Sequence, residues 1–162
     1  MVKLNRHPAL KPRRTLAYMR SILQAGLKRR LGARLLTVTK KKVTAEMQVR
    51  KVHLNRDGRV NGGVLMGFAD SLGAMGTLAN LPQGYHTTTL ESKTNFFAAG
   101  TGPVIKGVSV PLHLGRTTSV WQTTLKNADG RTVAIVIQTQ MLLQARAAAA
   151  PREKPARKRK AG

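Results

Sequence analysis

The chain has no cysteine among its 162 residues. That excludes disulfides, thiolate metal sites and a cysteine nucleophile, and it fits a reducing compartment. Acidic residues are nearly as scarce, six against 29 Lys and Arg, for a formal net charge of +23. The four histidines (His7, His53, His86 and His113) are scattered, without metal-ligand spacing or nearby carboxylate partners, so no metal site is expected. No apolar run reaches the ~18–20 residues needed to cross a bilayer, and no signal-peptide core is present. A soluble protein follows as the expectation. The length suits one domain with a proper core and is too short for two ordinary ones.

The positive charge is unevenly placed. Residues 1–42 carry thirteen basic residues and no acid, and residues 152–162 carry a net +5, as does the whole stretch 43–151. The tail "PREKPARKRKAG" follows the low-complexity run "ARAAAA" and offers almost nothing to bury, so residues 146–162 are expected to be a disordered basic tail. Such ends attract polyanions of any kind, whether nucleic acid or anionic lipid. The acid-free N-terminus also satisfies the pattern of an organellar transit peptide. A cytoplasmic protein is expected, or a matrix protein if that segment is an import signal.

Along the chain, "RRTLAYMRSILQAGLKRRLG" places Leu16, Met19, Leu23 and Leu27 at helical spacing, with Thr15 as N-cap and Gly32 as stop. One amphipathic helix within a basic extension, 1–32, is expected, packed on the domain or lying on a membrane surface. From Ala33 the period changes, and "ARLLTVT" and "VTAEMQV" read as a hairpin. The loop "LNRDGRVNGG" then leads into Val64–Leu78, apolar round most of its circumference and free of Lys and Arg. Such a helix must be buried on nearly all sides. Four long strands follow, divided by Gly or Asp-Gly turns, and Pro111 in the second marks an edge or a bulge. A long antiparallel sheet wrapped round the apolar helix, an α+β fold, would bury it.

Asp70 is the one carboxylate inside that helix, and the residues around it carry a family pattern. Asn55, Gly58, Asn61, Gly62, Gly63 and Asp70 match "N-x-x-G-x-x-H-G-G" followed by an acid at fixed spacing, with Asn61 where histidine is common. Thr89, Glu91, Lys93, Asn95 and Phe96 match "T-x-E-x-K-x-N-F". Gly115, Arg116 and the "ADGRTVA" of residues 128–134 match a third block. In these features roughly residues 33–143 resemble the hotdog-fold acyl-CoA thioesterases, in particular the phenylacetic acid degradation (PaaI-type) branch, which implies a hotdog domain over 33–145. The resemblance implies hydrolysis of an acyl-CoA ester in a homodimer or homotetramer whose site forms between subunits. No cofactor is implied, since CoA is part of the substrate.

The chemistry fits these residue types. A helix N-terminus offers unpaired N–H groups and about half a positive charge, so Gly62 and Gly63 are candidate donors to the thioester oxygen. Asp70 is expected to be the general base or the nucleophile. Thr89 could orient the water, and Asn55 could hold the carbonyl or the leaving sulfur. Asn61, Gly115 and Arg116 are candidates for substrate and CoA contacts, Arg116 because a guanidinium fork suits phosphate. Plainer readings stand beside these: Asp70 as an interface carboxylate, Asn55 as an Asx-turn residue, Thr89 as an ordinary strand residue, and Gly62 and Gly63 as turn glycines. At the level of the whole protein the alternative is a non-catalytic acyl-CoA-binding hotdog protein whose basic ends dock nucleic acid or an anionic membrane. A hotdog dehydratase is disfavoured because no histidine lies in the helix.

Overall fold

The structure is a computed structural model that describes residues 15–144. The proposed tail, 146–162, and the part of the basic extension ahead of Thr15 lie outside those residues. In chain order come α1 (Leu16–Ile22), α2 (Gly26–Leu31), β1 (Ala33–Val38), β2 (Val43–Gln48), a 3-10 turn (Lys51–His53), α3 (Gly62–Asn80), β3 (Tyr85–Phe96), β4 (Val104–Leu114), β5 (Thr118–Asn127) and β6 (Thr132–Gln144). The six strands form one antiparallel sheet in the order β1-β2-β4-β5-β6-β3.

α3 packs against every strand of that sheet. Its buried face includes Leu65, Phe68, Leu72 and Met75, each 2% exposed or less, closed from the sheet by Trp121, Ile105, Leu125 and Val136. Glycines let the helix come close to the strands. A β-carbon at Gly76 would lie 2.5–2.7 Å from three ring atoms of Trp121, and one at Gly73 would lie 2.1 Å from Oε1 of Gln138. Pro111 sits in β4, an interior strand, and the expected irregularity is there as a register shift between Pro111 and His113.

The single helix expected over the N-terminal basic stretch is two. Thr15 caps α1 by accepting from the Tyr18 N–H, and Gly32 ends α2 in the left-handed region, as expected. Between them Ala25 is extended and Gly26 has φ +54°, a conformation that no helix continues through. The break lets Met19, Leu23 and Leu31 all reach the core while Leu27 is left 69% exposed, off the apolar face expected to include it.

The helical hairpin that α1 and α2 form is fixed to the domain at both ends. Arg20 donates through Nε and Nη2 to the Leu35 carbonyl. Buried His53 accepts at Nδ1 from the Arg50 N–H, so its other ring nitrogen is placed to donate to the Arg30 carbonyl, 3.0 Å away, at the end of α2. The Arg50 guanidinium meets the same carbonyl. Among the described residues no helix is long and apolar enough to cross a membrane.

Candidate active site

α3 begins where Asn61, with φ −60° and ψ 137°, turns the chain out of the loop. Its Oδ1 accepts from the Gly63 N–H at 2.8 Å, and its carbonyl accepts from Val64 and Leu65. Of the first four N–H groups of the helix, only that of Gly62 is left without a partner among the described residues. The two glycines expected to act alike are therefore unequal: Gly63 is capped and Gly62 is open. The Phe96 ring lies against Gly62, its Cζ 3.2 Å from where a β-carbon would stand.

Asn55 is spent in part on its own loop. Its Oδ1 accepts from the N–H groups of Asp57 and Arg59, each at 3.0 Å, an Asx-turn arrangement that Gly58, at φ +73°, completes. Its side-chain NH2 is the group left for any contact with a reactant.

Asp70 lies two turns into α3 and is partly buried. Thr89 of β3 donates to its Oδ1 at 2.9 Å, so the structure joins these two expected site residues directly. Thr89 is the last paired residue before a β-bulge: it faces Gln140, whereas Glu91 faces Thr139, and Leu90 is the extra residue between them.

Two further residues had no place in the expected site. Gln138 donates through Nε2 to Oδ1 of Asp70 at 2.6 Å and lies 3.2 Å from Thr89 Oγ1. Gln140 donates to Thr89 Oγ1 at 2.7 Å, and the Thr87 hydroxyl stands 2.8 Å from Gln140 Oε1. Both glutamines are at most 1% exposed. Thr87, Gln140 and Thr89 thus form a chain of donors that ends on the carboxylate, and Gln138 adds a second arm. Both arms land on Oδ1, and Oδ2 accepts no hydrogen bond from the described residues.

Gln138 fits because residue 73 has no side chain: its amide fills the notch beside α3, and its Oε1 is buried there without a partner. Both glutamines are legible as buried only once the register of β6 is known. They continue the inward phase of Ala134 and Val136 along β6, where apolar residues are the rule.

The remaining expected residues are elsewhere. Gly115 closes the β4–β5 turn by donating to the Thr118 carbonyl, and Arg116 is exposed on it. The adjoining Thr117 accepts from the Leu142 N–H, four residues along β6 from Gln138, which is about 13 Å of strand. No cluster of metal-ligating side chains occurs among the described residues.

A six-stranded antiparallel sheet curled round one long helix, with a lone carboxylate facing the strand beside the sheet edge, is a hotdog fold of the thioesterase type. The sequence profile of the Thioesterase superfamily matches residues 57–134, which hold the α3 start, Asp70 and Thr89. By that match and the likenesses of structure below, the chain is similar to members of this superfamily.

Over 98 residues it is 30% identical to "Putative esterase VC_A0580" of Vibrio cholerae, a match that takes in 60% of this chain and 65% of the relative, just under two thirds of its length. The crystal structure of a mutant thioesterase from Pseudomonas aeruginosa superposes with a TM-score of 0.77 at 25% identity, over 85% of this chain and 99% of that one. A hypothetical thioesterase protein of Streptococcus pneumoniae, crystallised with coenzyme A, superposes at 0.64 and 25% identity over 71% of this chain and 88% of that one.

Proposed function

We propose that the protein hydrolyses acyl-CoA thioesters, with Asp70 as the group that activates or delivers the nucleophile. One observation carries this reading: the only carboxylate of the apolar helix is held through one oxygen by Thr89 and Gln138, with the other left open. The S. pneumoniae protein with coenzyme A supports CoA as the carrier of the acyl group.

Asp70 takes a proton from water as the water oxygen bonds to the thioester carbon. The carbonyl electrons move to oxygen, and collapse of the tetrahedral adduct breaks the C–S bond, so that the proton leaves with the CoA thiol. Direct attack by Asp70, giving a transient anhydride that water then opens, uses the same geometry.

The adduct's oxygen needs a donor, and the open Gly62 N–H, at the positive end of α3, is the candidate. Residues 62 and 70 lie about 12 Å apart along the axis of α3 and about 80° apart round it. One carbonyl group cannot meet Asp70 and the N-terminus of the same helix. We therefore assign the donor to the α3 of a second copy, so that the site is complete only in a dimer.

The β3 edge supports that pairing. β3 is a twelve-residue strand that pairs on one side only, with exposed Leu90 and Phe96, and Ser92 and Thr94 hold buried hydroxyls without partners. An edge of this length is a template for pairing with another copy. Asn55 and Asn61, near the donor, and Arg116, on its exposed turn, are the candidates for holding the pantetheine and the phosphates of CoA.

A second reading, an acyl-CoA-binding protein without turnover, draws on one observation. Asn61 stands where relatives often carry histidine, and its Oδ1 is occupied in capping α3. Free-thiol release from a panel of acyl-CoA esters, run beside Asp70→Asn, separates the two. Turnover that falls at least about 100-fold in the variant is expected; binding without turnover in the parent would favour the second reading.

A further inference from the structure

The hairpin of α1 and α2 lies over the face of α3 that carries Asp70, and an open groove of about 430 Å³ runs between them. Ile22, Ala25, Leu27 and Leu31 line it from the hairpin, and Gly67 and Asp70 line it from α3. The carboxylate-bearing residue and a set of aliphatic side chains therefore line one and the same groove.

We infer that this groove holds the acyl chain of the substrate, and that the chain is an unbranched aliphatic one of medium length. The inference rests on the thioesterase reading, because Asp70 fixes where the reacting carbonyl stands and the acyl group must continue from there. Four features support it. The volume falls in the range of pockets that enclose a small ligand, ~300–1,000 Å³. Leu27 is 69% exposed although it belongs to the lining, so a large apolar side chain is left in water until something apolar covers it. Gly67, one turn before Asp70, keeps the floor low, since a β-carbon there would already touch Leu31 at 3.6 Å. Among the described residues no aromatic ring lines the groove to stack on an aryl group, and apart from Asp70 their one charged lining residue is Lys28.

The wall is also preformed. Met19, Leu23 and Leu31 anchor the hairpin in the core, and His53, Arg50 and Arg20 tie its backbone to the domain. The hairpin lies outside residues 57–134, the part matched by the superfamily profile. Chain-length preference would then be set by an element outside that common part.

The test is the kcat/KM of the full chain for acetyl-, butanoyl-, hexanoyl-, octanoyl-, decanoyl- and benzoyl-CoA, with Ala25→Trp to fill the groove and Leu27→Ser to remove its apolar wall. Both positions are exposed, so folding is expected to survive, and melting curves check it. In the parent, kcat/KM should rise about fourfold per methylene until the groove is full. The octanoyl-to-acetyl ratio should fall at least tenfold in Ala25→Trp and about fourfold in Leu27→Ser for each methylene that loses its wall.

A ratio that stays the same in both folded variants, with turnover intact, would overturn the groove and leave the thioesterase reading standing. A parent that prefers benzoyl-CoA would overturn the aliphatic occupant. No turnover of any ester by the parent would instead sink the thioesterase reading on which the inference rests.

Discussion

Replacing Gln138 by leucine separates what holds the fold from what holds the carboxylate. The substitution keeps a side chain of similar volume in the notch beside Gly73 and removes the one nitrogen that reaches both Asp70 Oδ1, at 2.6 Å, and Thr89 Oγ1, at 3.2 Å. The lost bond to a charged group is worth about 1.5–3 kcal/mol. The same change also removes Oε1, a buried acceptor with no partner, whose burial costs about 1–3 kcal/mol. The two terms nearly cancel, so the melting temperature should move by only a few degrees, at about 4 °C per kcal/mol.

Activity has no such offset. A carboxylate with one donor arm instead of two swings about its Cβ, and a misplacement of about 1 Å costs about 100-fold. A fall of roughly 10- to 150-fold in kcat/KM, with little loss of stability, is expected from thiol release and thermal denaturation on the same preparation. A folded variant within about twofold of the parent would refute the positioning role. A variant that melts some 15 °C lower would show instead that Gln138 holds the core.

Other consequences follow from the same geometry. Thr89→Val removes the second arm and should lower kcat/KM by a comparable factor, and with Gln138→Leu the combined loss should depart from additivity because both residues act on Oδ1. Gly62→Pro removes the open N–H at the first helical position, where proline is well tolerated, and Asn61 already has the extended backbone proline requires; the half-exposed Phe96 ring, 3.2 Å from the added β-carbon, must turn aside, and about 100- to 1,000-fold in kcat should go without loss of fold. Gly76→Ala drives a methyl into the fully buried Trp121 ring and should destabilise by about 1–3 kcal/mol or more, read by chemical denaturation. Gly67→Ala meets only Leu31 at 3.6 Å and should stabilise the protein by up to about 1 kcal/mol.

Much of this arrangement is legible in the residues. The apolar circumference of Val64–Leu78 demands a sheet to cover it, and the strand patterns that follow supply one. Asp70 and Thr89 stand out because one breaks an apolar helix and the other opens a motif. Two things are hidden for physical reasons. Helical periodicity continues smoothly from Leu16 to Leu31, and only the left-handed φ at Gly26, which a sequence does not display, breaks it. In "TVAIVIQTQMLL" both faces of β6 carry apolar residues. Which phase points inward depends on how β6 pairs with β3 and β5, so Gln138 and Gln140 read as surface until the register is known. At the start of α3 the pattern marks two glycines, but only the cap made by Asn61 tells them apart.

The central claim is that Asp70 of one copy and Gly62 of another serve the same thioester. Mixing Asp70→Asn and Gly62→Pro chains under conditions of subunit exchange tests it most directly, since each is nearly inactive alone. If the site spans two copies, half of the randomly paired dimers are mixed and each mixed dimer has one site with both groups intact. Thiol release should recover to about a quarter of the parent's. If both groups came from one chain, every site in every dimer would lack one of them. A mixture that exchanges subunits yet stays as inactive as its components would contradict the account.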